Sequence, residues 1–352
     1  MAILFTVIGL SVLILVHELG HFLAAKLFRV RVDEFGFGFP PRLFAWTRGE
    51  TTYSVNALPF GGFVKIYGED GETRSEAVSD RDRSFSAQPV WRRIVMVAAG
   101  VAANLAAAWL ALSLVFIVGA PSHLLLTAVS PSSPAAEAGL VGGDIVAAVS
   151  VGGRMLRDPV KADDFIAMVG DAAREGTAVS LSVGAGNEVR EVSLIPRVNP
   201  PEGEGRLGVS LAEIGMPQTA FFESFLKGAE ETWSLTKLIV VGFVQFFGNV
   251  FRQPELLGDV AGPVGVVSVA AQAGSLGFAY LLHFLGLISI NLMVLNFIPF
   301  PALDGGRALF LLIEKLKGSP LPVRFERAVN AAGFVFLLLL MVLVTVQDVG
   351  RL

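Results

Sequence analysis

The chain has 352 residues, of which 53% are hydrophobic and 16% charged, against about 25% charged in an ordinary soluble domain. Its mean hydropathy of +0.64 excludes a disordered chain and points to an integral membrane protein with a polar domain attached. A formal net charge of −4 without a basic tail argues against a nucleic-acid binder, and the absence of cysteine excludes disulfides, thiolate metal sites and a cysteine nucleophile.

The first apolar stretch, residues 1–29, has no basic residue ahead of it and carries His17, Glu18, His21 and Lys26 in its second half. A signal peptide has a basic start and a clean apolar core, so this stretch reads as a membrane span with polar groups near its far end. In residues 30–93, FGFGFPPRLF and TTYSVNALPFGGFVKIYG alternate aromatic or β-branched residues with small ones, and Gly and Pro break the runs. This is hairpin material beside a membrane. Irregular backbone at membrane depth is tolerated only when buried in protein or lining a wet cavity. Residues 94–119 hold a second span, with no charge from Ile94 to Val118, long enough to cross a bilayer.

Residues 120–215 form a polar module with 12 acidic and 7 basic residues. Strands are expected at 125–129, 145–149, 178–183, 189–194 and 207–211, with a helix at 162–173: a small β-rich domain. The segment 216–277 contains a short apolar run, 238–251, of a length that more often lies in the interface or re-enters than spans. With Phe221, Phe222, Phe225 and Leu226 near Glu230 and Glu231, it reads as amphipathic or re-entrant. A third span occupies 278–300, a polar loop 301–327 and a fourth span 328–347. Of the 27 Lys and Arg, 11 lie between Lys26 and Arg93 and 5 between Arg307 and Arg327. Four spans put both clusters on one side, the cytoplasm by the positive-inside rule, and leave both termini and the acidic module outside.

His17-Glu18-Leu19-Gly20-His21 matches HExxH. Helix positions i and i+4 share a face, so both imidazoles can reach one metal ion, and Glu18 beside them can take a proton from water. Ionisable groups at mid-helix cost roughly 2.5–3.5 kcal/mol each on insertion scales, which argues against three of them packed there without a function. The other two histidines, His123 and His283, fall near the outer ends of their spans. His17 lies about 24 Å along its helix at 1.5 Å per residue, toward the cytoplasmic side. Asp304 matches that depth. It follows the third span in NFIPFPALDGG, where Pro299 and Pro301 end the helix and Gly305 and Gly306 let the backbone turn closely. Three protein ligands leave a fourth position for water, the catalytic arrangement for zinc. The expected reaction is metal-assisted peptide hydrolysis inside a membrane.

HELGHFLAAKLF, FGFGFPP, ALPFGGFVKIYGED, SFSAQPVWRRIVMVAAGVAAN, AVSPSSPAAEAGLVGGDIVAAVSVGG, GPVGV and NFIPFPALDGGR, in that order, resemble the site-2 protease family of intramembrane zinc metalloproteases over essentially the whole chain. The resemblance implies a polytopic α-helical membrane protein whose four transmembrane helices form a site-2 protease core. It also implies a membrane-reentrant β-loop within 30–93 and an inserted, mainly-β PDZ domain at 120–215. One Zn2+ would be held by His17, His21 and Asp304, with Glu18 as catalytic base and Asn296 holding the substrate backbone or the oxyanion. An edge strand in 35–66 is expected to accept an unwound substrate by strand addition, through Gly36, Gly38, Gly61, Gly62, Phe63 and Val64. The implied partners are the lipid bilayer, single-pass membrane substrates such as anti-sigma factors or remnant signal peptides, and a site-1-type protease that trims them first. Nucleic acid is not among them. The implied location is a bacterial inner membrane, with the PDZ domain outside and the active site toward the cytoplasm. The alternative is a non-proteolytic PDZ-bearing chaperone or scaffold, against which Glu18 speaks, because a pure binder needs no base. Two departures stand out. Val101 in AGVAAN occupies a position where the family usually has Pro, which leaves the helix geometry there open. There is also room for one PDZ-like module, where some members carry two in tandem.

Overall fold

Apolar runs without internal proline become helices, and alternating runs bounded by Gly and Pro become strands, in the computed structural model of the chain, which describes residues 2–69, 81–185, 188–249, 252–253 and 262–350. In order these are α1 (Ala2–Leu27), β1 (Val32–Arg48), β2 (Thr51–Ile66), α2 (Val90–Val118), β3 (Ala120–Val129), the single turn α3 (Pro134–Glu137), β4 (Ile145–Val151) and β5 (Arg154–Arg157). There follow α4 (Ala162–Glu175), β6 (Val179–Ala185), β7 (Glu188–Leu194), β8 (Val209–Met216), α5 (Phe221–Asn249), α6 (Pro263–Leu276), α7 (Phe278–Phe297), α8 (Asp304–Lys317) and α9 (Val323–Val349). Among the described residues, four helices are long and apolar enough to cross a membrane: α1 over Val7–Leu27, α2, α7 and α9. α2 begins four residues before, and α9 five before, the apolar stretches that announce them. Hydropathy marks what lipid tolerates, whereas Arg92 and Arg93 at one start and Arg324 at the other are good helix formers. α2 runs unbroken through Val101, whose backbone N–H a proline would remove.

The chain divides into two compact units. The first comprises residues 1–114, 225–271 and 281–352. In it α1 meets α2 at glycines: a Cβ on Gly20 would sit 2.3 Å from the Ala99 carbonyl oxygen. Ala24, Ala25, Val30, Val32, Ile66, Met96, Val97 and Leu311 close a core beside that crossing. On the far side of α2, Leu235, Ile239 and Phe243 of α5, spaced four apart and so on one face, pack on Ala108 and Leu112 of α2 and on Ile290, Met293 and Val294 of α7. The apolar run expected at 238–251 is therefore the second half of a 29-residue helix, with 250 and 251 outside the described residues. Glu230, Glu231 and Lys237 interrupt its hydropathy but not its backbone. The α6 start is capped from another helix: the Gly262 and Gly265 N–H groups donate to the Asp348 carboxylate of α9 at 3.1 and 2.8 Å, satisfying donors that a helix start leaves open.

β1 and β2 pair antiparallel around Gly49, which sits at φ +66. The pair folds back on itself. Residues 34–37 face 62–65 on one side and 52–55 on the other. The 62–66 edge has no further strand partner among the described residues. Arg42, Ser54 and Lys65 converge on Glu34, at 2.5, 2.7 and 3.0 Å. Burial alone would raise the Glu34 carboxyl, but the Ser54 hydroxyl and the Lys65 and Arg42 cations more than offset it and hold the group below its ordinary value.

The second unit, residues 115–224 and 272–280, is the β-rich module. Its sheet runs β7-β6-β4-β3-β8, with β5 paired to β4. α4 turns Phe165, Val169 and Ala172 into a core with Leu124, Val146, Val149 and Leu181. Gly176 at φ +64 ends α4, a left-handed cap that suits a residue without Cβ. The five expected strands and the helix are present. β5, four residues and largely exposed, is too short to announce itself. Among the described residues β8 is an edge strand paired only with β3.

Candidate metal centre

An α-helix carries i and i+4 side chains on one face, and α1 brings His17 and His21 together that way. Their Nε2 atoms are 3.2 Å apart, and both residues are 8% exposed. The third group arrives from 283 residues further along. α7 ends at Phe297, and the proline-broken link that follows turns at Ala302, which holds φ +72 while its N–H donates to the Asn330 side chain. The chain then starts α8 on Asp304. The two glycines after it are required by contact: a Cβ on Gly305 would lie 2.2 Å from the Ile298 carbonyl oxygen, and one on Gly306 2.2 Å from that of Phe300. Asp304 Oδ2 thereby lies 3.0 Å from His17 Nε2 and 3.2 Å from His21 Nε2.

The three atoms form a nearly equilateral triangle. Ligand atoms about 2.0–2.1 Å from a tetrahedral zinc are about 3.3 Å apart, so the spacing fits that ion closely. Among the described residues no aligned hydrogen-bond donor meets the buried Asp304 Oδ2, which leaves its lone pairs open to a cation. Among the described residues this is the one group of three or more such side chains able to hold a metal ion. The donor set, two imidazoles and one carboxylate, suits zinc. Burial alone would raise the Asp304 carboxyl, but the two adjacent imidazoles hold it well below the usual carboxylate range. The start of α8 adds its helix dipole to that preference for the anion.

Glu18 lines the same cavity, of about 110 Å³, with the three candidate ligands, Val64 and Ile66 of β2, and Glu69 and Arg307. Glu69 and Arg307 form an ion pair at its rim. Gly62 packs 3.7 Å from the Glu18 side chain, measured from the position of a Cβ. Of the expected substrate residues, Val64 lines the cavity and Gly62 packs beside Glu18. Phe63 turns to the opposite face, where a Cβ on Gly36 would meet its ring at 2.5 Å. Gly38 and Gly61 hold φ +76 and +87, backbone shapes that favour glycine. Asn296 sits half-buried in the last turn of α7 and does not line this cavity.

α2 supplies what the motif reading missed. Met96, Gly100 and Asn104, spaced four apart, form a buried stripe against the histidines. The Met96 carbonyl oxygen lies 2.8 Å from His21 Nδ1, and Asn104 lies against His17 Nδ1. Gly100 gives the rings their space: a Cβ there would come within 2.3 Å of His21 Nε2 and 2.7 Å of His17 Cε1. The sequence trace of this stripe is Gly100 and Asn104 within AGVAAN, which by itself does not say which face meets α1.

The chain is similar to known proteins over almost its whole length. The model of peptidase family M50 matches residues 5–340. A Clostridium perfringens protein named as a zinc metalloprotease is 36% identical over 354 aligned residues, covering 99% of this chain and 98% of its own length. A Nostoc protein of the same description is 34% identical, covering 100% and 97%. The regulator of sigma-W protease RasP of Bacillus subtilis is 27% identical, covering 98% and 97%.

Proposed function

The chain belongs to peptidase family M50, the site-2 proteases, and is a multi-pass membrane zinc metalloprotease; from that premise we propose that it holds one zinc ion on His17, His21 and Asp304 and cuts peptide bonds within membrane-spanning segments. The observation that carries this reading is the triangle of two Nε2 atoms and one Oδ2, with Glu18 in the same cavity. When bound there, zinc supplies Lewis acidity toward a carbonyl and lowers the pKa of a water to about 7. Glu18 takes the proton of the attacking water and delivers it to the leaving amide nitrogen as the C–O bond forms and the C–N bond breaks. The roles of Glu18 and of the three ligands are ours to propose, from their geometry and from the matching motifs.

A helical substrate hides its peptide bonds, and unwinding it in lipid strands amide groups at several kcal/mol each. The free 62–66 edge of β2 answers that need. Its Val64 and Ile66 line the cavity, and an added strand would restore the lost hydrogen bonds. Gly36, Gly38, Gly61, Gly62 and Phe63 shape this sheet, and Asn296 acts at the end of α7, on the resemblance alone. Phe39, Leu43, Phe44, Trp46 and Leu58 are exposed on the same hairpin, which supports its dipping into the bilayer as a re-entrant loop. The β-rich module, read as a PDZ domain facing outward, binds or screens the outer stump of substrates that another protease has trimmed. Since the RasP relative is named for regulating sigma-W, an anti-sigma factor or a remnant signal peptide is the substrate class we favour, in a bacterial inner membrane with the metal site toward the cytoplasm.

The test is cleavage of a model single-pass substrate with a short outer stump, in liposomes, by wild type and Glu18→Gln. The proposal expects wild type to cut within the membrane segment and the variant to bind zinc without cutting. Zinc-loaded wild type that cuts no such substrate would put the scaffold reading first.

A further inference from the structure

The zinc reading gives no task to a buried asparagine that stands beside the histidines. Asn104 is 0% exposed and lies in α2 one helical turn beyond Gly100. Its side-chain amide approaches His17 Nδ1 at 3.2 Å, while the other end of the amide, Oδ1, is buried with no hydrogen-bond partner among the described residues. The backbone behind it is fixed as well: Ser289 of α7, itself fully buried, donates its hydroxyl to the Asn104 carbonyl oxygen at 2.8 Å. An asparagine held this way, fully inside an apolar helix packing, is costly unless its polar atoms are used.

The use follows from the two nitrogens of His17. Its Nε2 faces Asp304 Oδ2 and His21 Nε2. If Nε2 gives its lone pair to a cation, the single ring proton of the neutral imidazole has to reside on Nδ1. An Nδ1–H in this buried place needs an acceptor, and Asn104 supplies one when its amide presents Oδ1. The oxygen and nitrogen of an amide have nearly the same outline, so the orientation is set by the partner. With the opposite tautomer, Nε2–H toward Asp304, the same amide turned over donates Nδ2–H to Nδ1. One residue therefore serves His17 in both states. An aspartate could serve only the metal-loaded one, and a leucine neither. Met96 does the corresponding job for His21 with a backbone carbonyl, which no side-chain change can remove.

We propose that Asn104 is a positioning residue: its amide accepts from His17 Nδ1–H and so fixes the tautomer and ring orientation that present Nε2 to the metal. This rests on the zinc reading above. The prior from other metal sites is that losing such an outer partner weakens metal affinity by about 10–100-fold.

The test measures zinc affinity of the full-length protein in detergent, by competition with a chelator, for wild type, His17→Ala, Asn104→Leu and Asn104→Asp. Cobalt-substituted samples of each report ligand geometry through their visible absorption. Asn104→Leu nearly keeps the volume and removes the acceptor, and leucine is at home in an apolar helix interface. The expected result is a 10–100-fold loss of zinc affinity and an altered cobalt spectrum in Asn104→Leu, with both rescued in Asn104→Asp. Wild-type affinity in Asn104→Leu overturns the proposal. So does an equal loss in the leucine and aspartate variants, which would mark a packing role. Either of those leaves the zinc reading intact. Wild type that takes up no zinc, or His17→Ala that binds it as well as wild type, overturns the zinc reading and this inference with it.

Discussion

At the scale of single residues, the candidate metal centre depends as much on what is missing as on what is present. The HExxH helix puts two imidazoles on one face, but their rings need a void in the neighbouring helix, and Gly100 is that void. A methyl group at 100 would stand 2.3 Å from His21 Nε2 and 2.7 Å from His17 Cε1, against backbone on α2 that has little room to retreat. We expect Gly100→Ala to weaken zinc binding by at least tenfold, with helix content unchanged because alanine is the better helix former. Chelator competition together with far-ultraviolet circular dichroism checks this, and wild-type zinc affinity in the variant would refute the steric argument. Asp304→Asn keeps the shape of the third group but removes its charge, so it should lose zinc at fixed chelator concentration while leaving α8 in place.

At the scale of elements, the hairpin of β1 and β2 has to be both ordered and open at one edge. Its order depends on Glu34, nearly buried between Ser54, Lys65 and Arg42. The folded carboxyl lies below its ordinary value, so the stability it contributes is complete above the unfolded carboxylate value of about 4.3 and is lost as pH falls through the lower folded value. With the intrinsic pH dependence of amide exchange divided out, protection in peptides spanning 34–66 should therefore fall in acid in wild type, and Glu34→Gln should flatten that dependence. The open edge gives a second expectation. Proline at 64 removes an N–H and distorts the edge, so Val64→Pro should abolish cleavage and leave zinc binding within a fewfold of wild type. Unchanged cleavage would mean that the substrate does not add as a strand. At the other end of the unit, the Asp348 carboxylate caps α6 through two N–H groups. Asp348→Ala should cost about 1–2 kcal/mol, as losing a helix cap does, read as a lower unfolding midpoint with zinc affinity unchanged.

At the scale of the whole molecule, a three-ligand site on helices that already pack through their own cores should be separable from folding. Stripping zinc with a chelator is expected to end proteolysis but keep the helical signal. Readdition at a thousandfold excess over Kd should stabilise by about 4 kcal/mol, seen as a higher melting temperature. The β-rich module has a core of its own, so deleting 121–215 should relax substrate selection and leave zinc bound. Loss of zinc in that deletion would make the module structural instead.

How much of this was legible beforehand depends on the range of the signal. The four spans, the β-rich insertion with five of its six strands, and the pair His17 and His21 are local patterns. They follow from hydropathy over some twenty residues, from alternation, and from the i, i+4 spacing. Asp304 was legible too, because prolines and glycines around it mark a forced turn at the right depth. The continuous α5 was not, since charges such as Glu231 and Lys237 break hydropathy without breaking a helix. Nor was the stripe of Met96, Gly100 and Asn104, because nothing within α2 says which face meets α1. Sequence by itself determined the membrane class, the order of the four spans and the β-rich insertion, and the candidate metal ligands, all set by short-range backbone and solvation preferences. Tertiary structure alone decided that His17, His21 and Asp304, 287 residues apart at the extremes, share one point in space, that Val64 lines the cavity while Phe63 turns away, and that Asn104 stands behind His17. Those are outcomes of close packing between distant segments, and packing selects its partners by shape and contact across the fold.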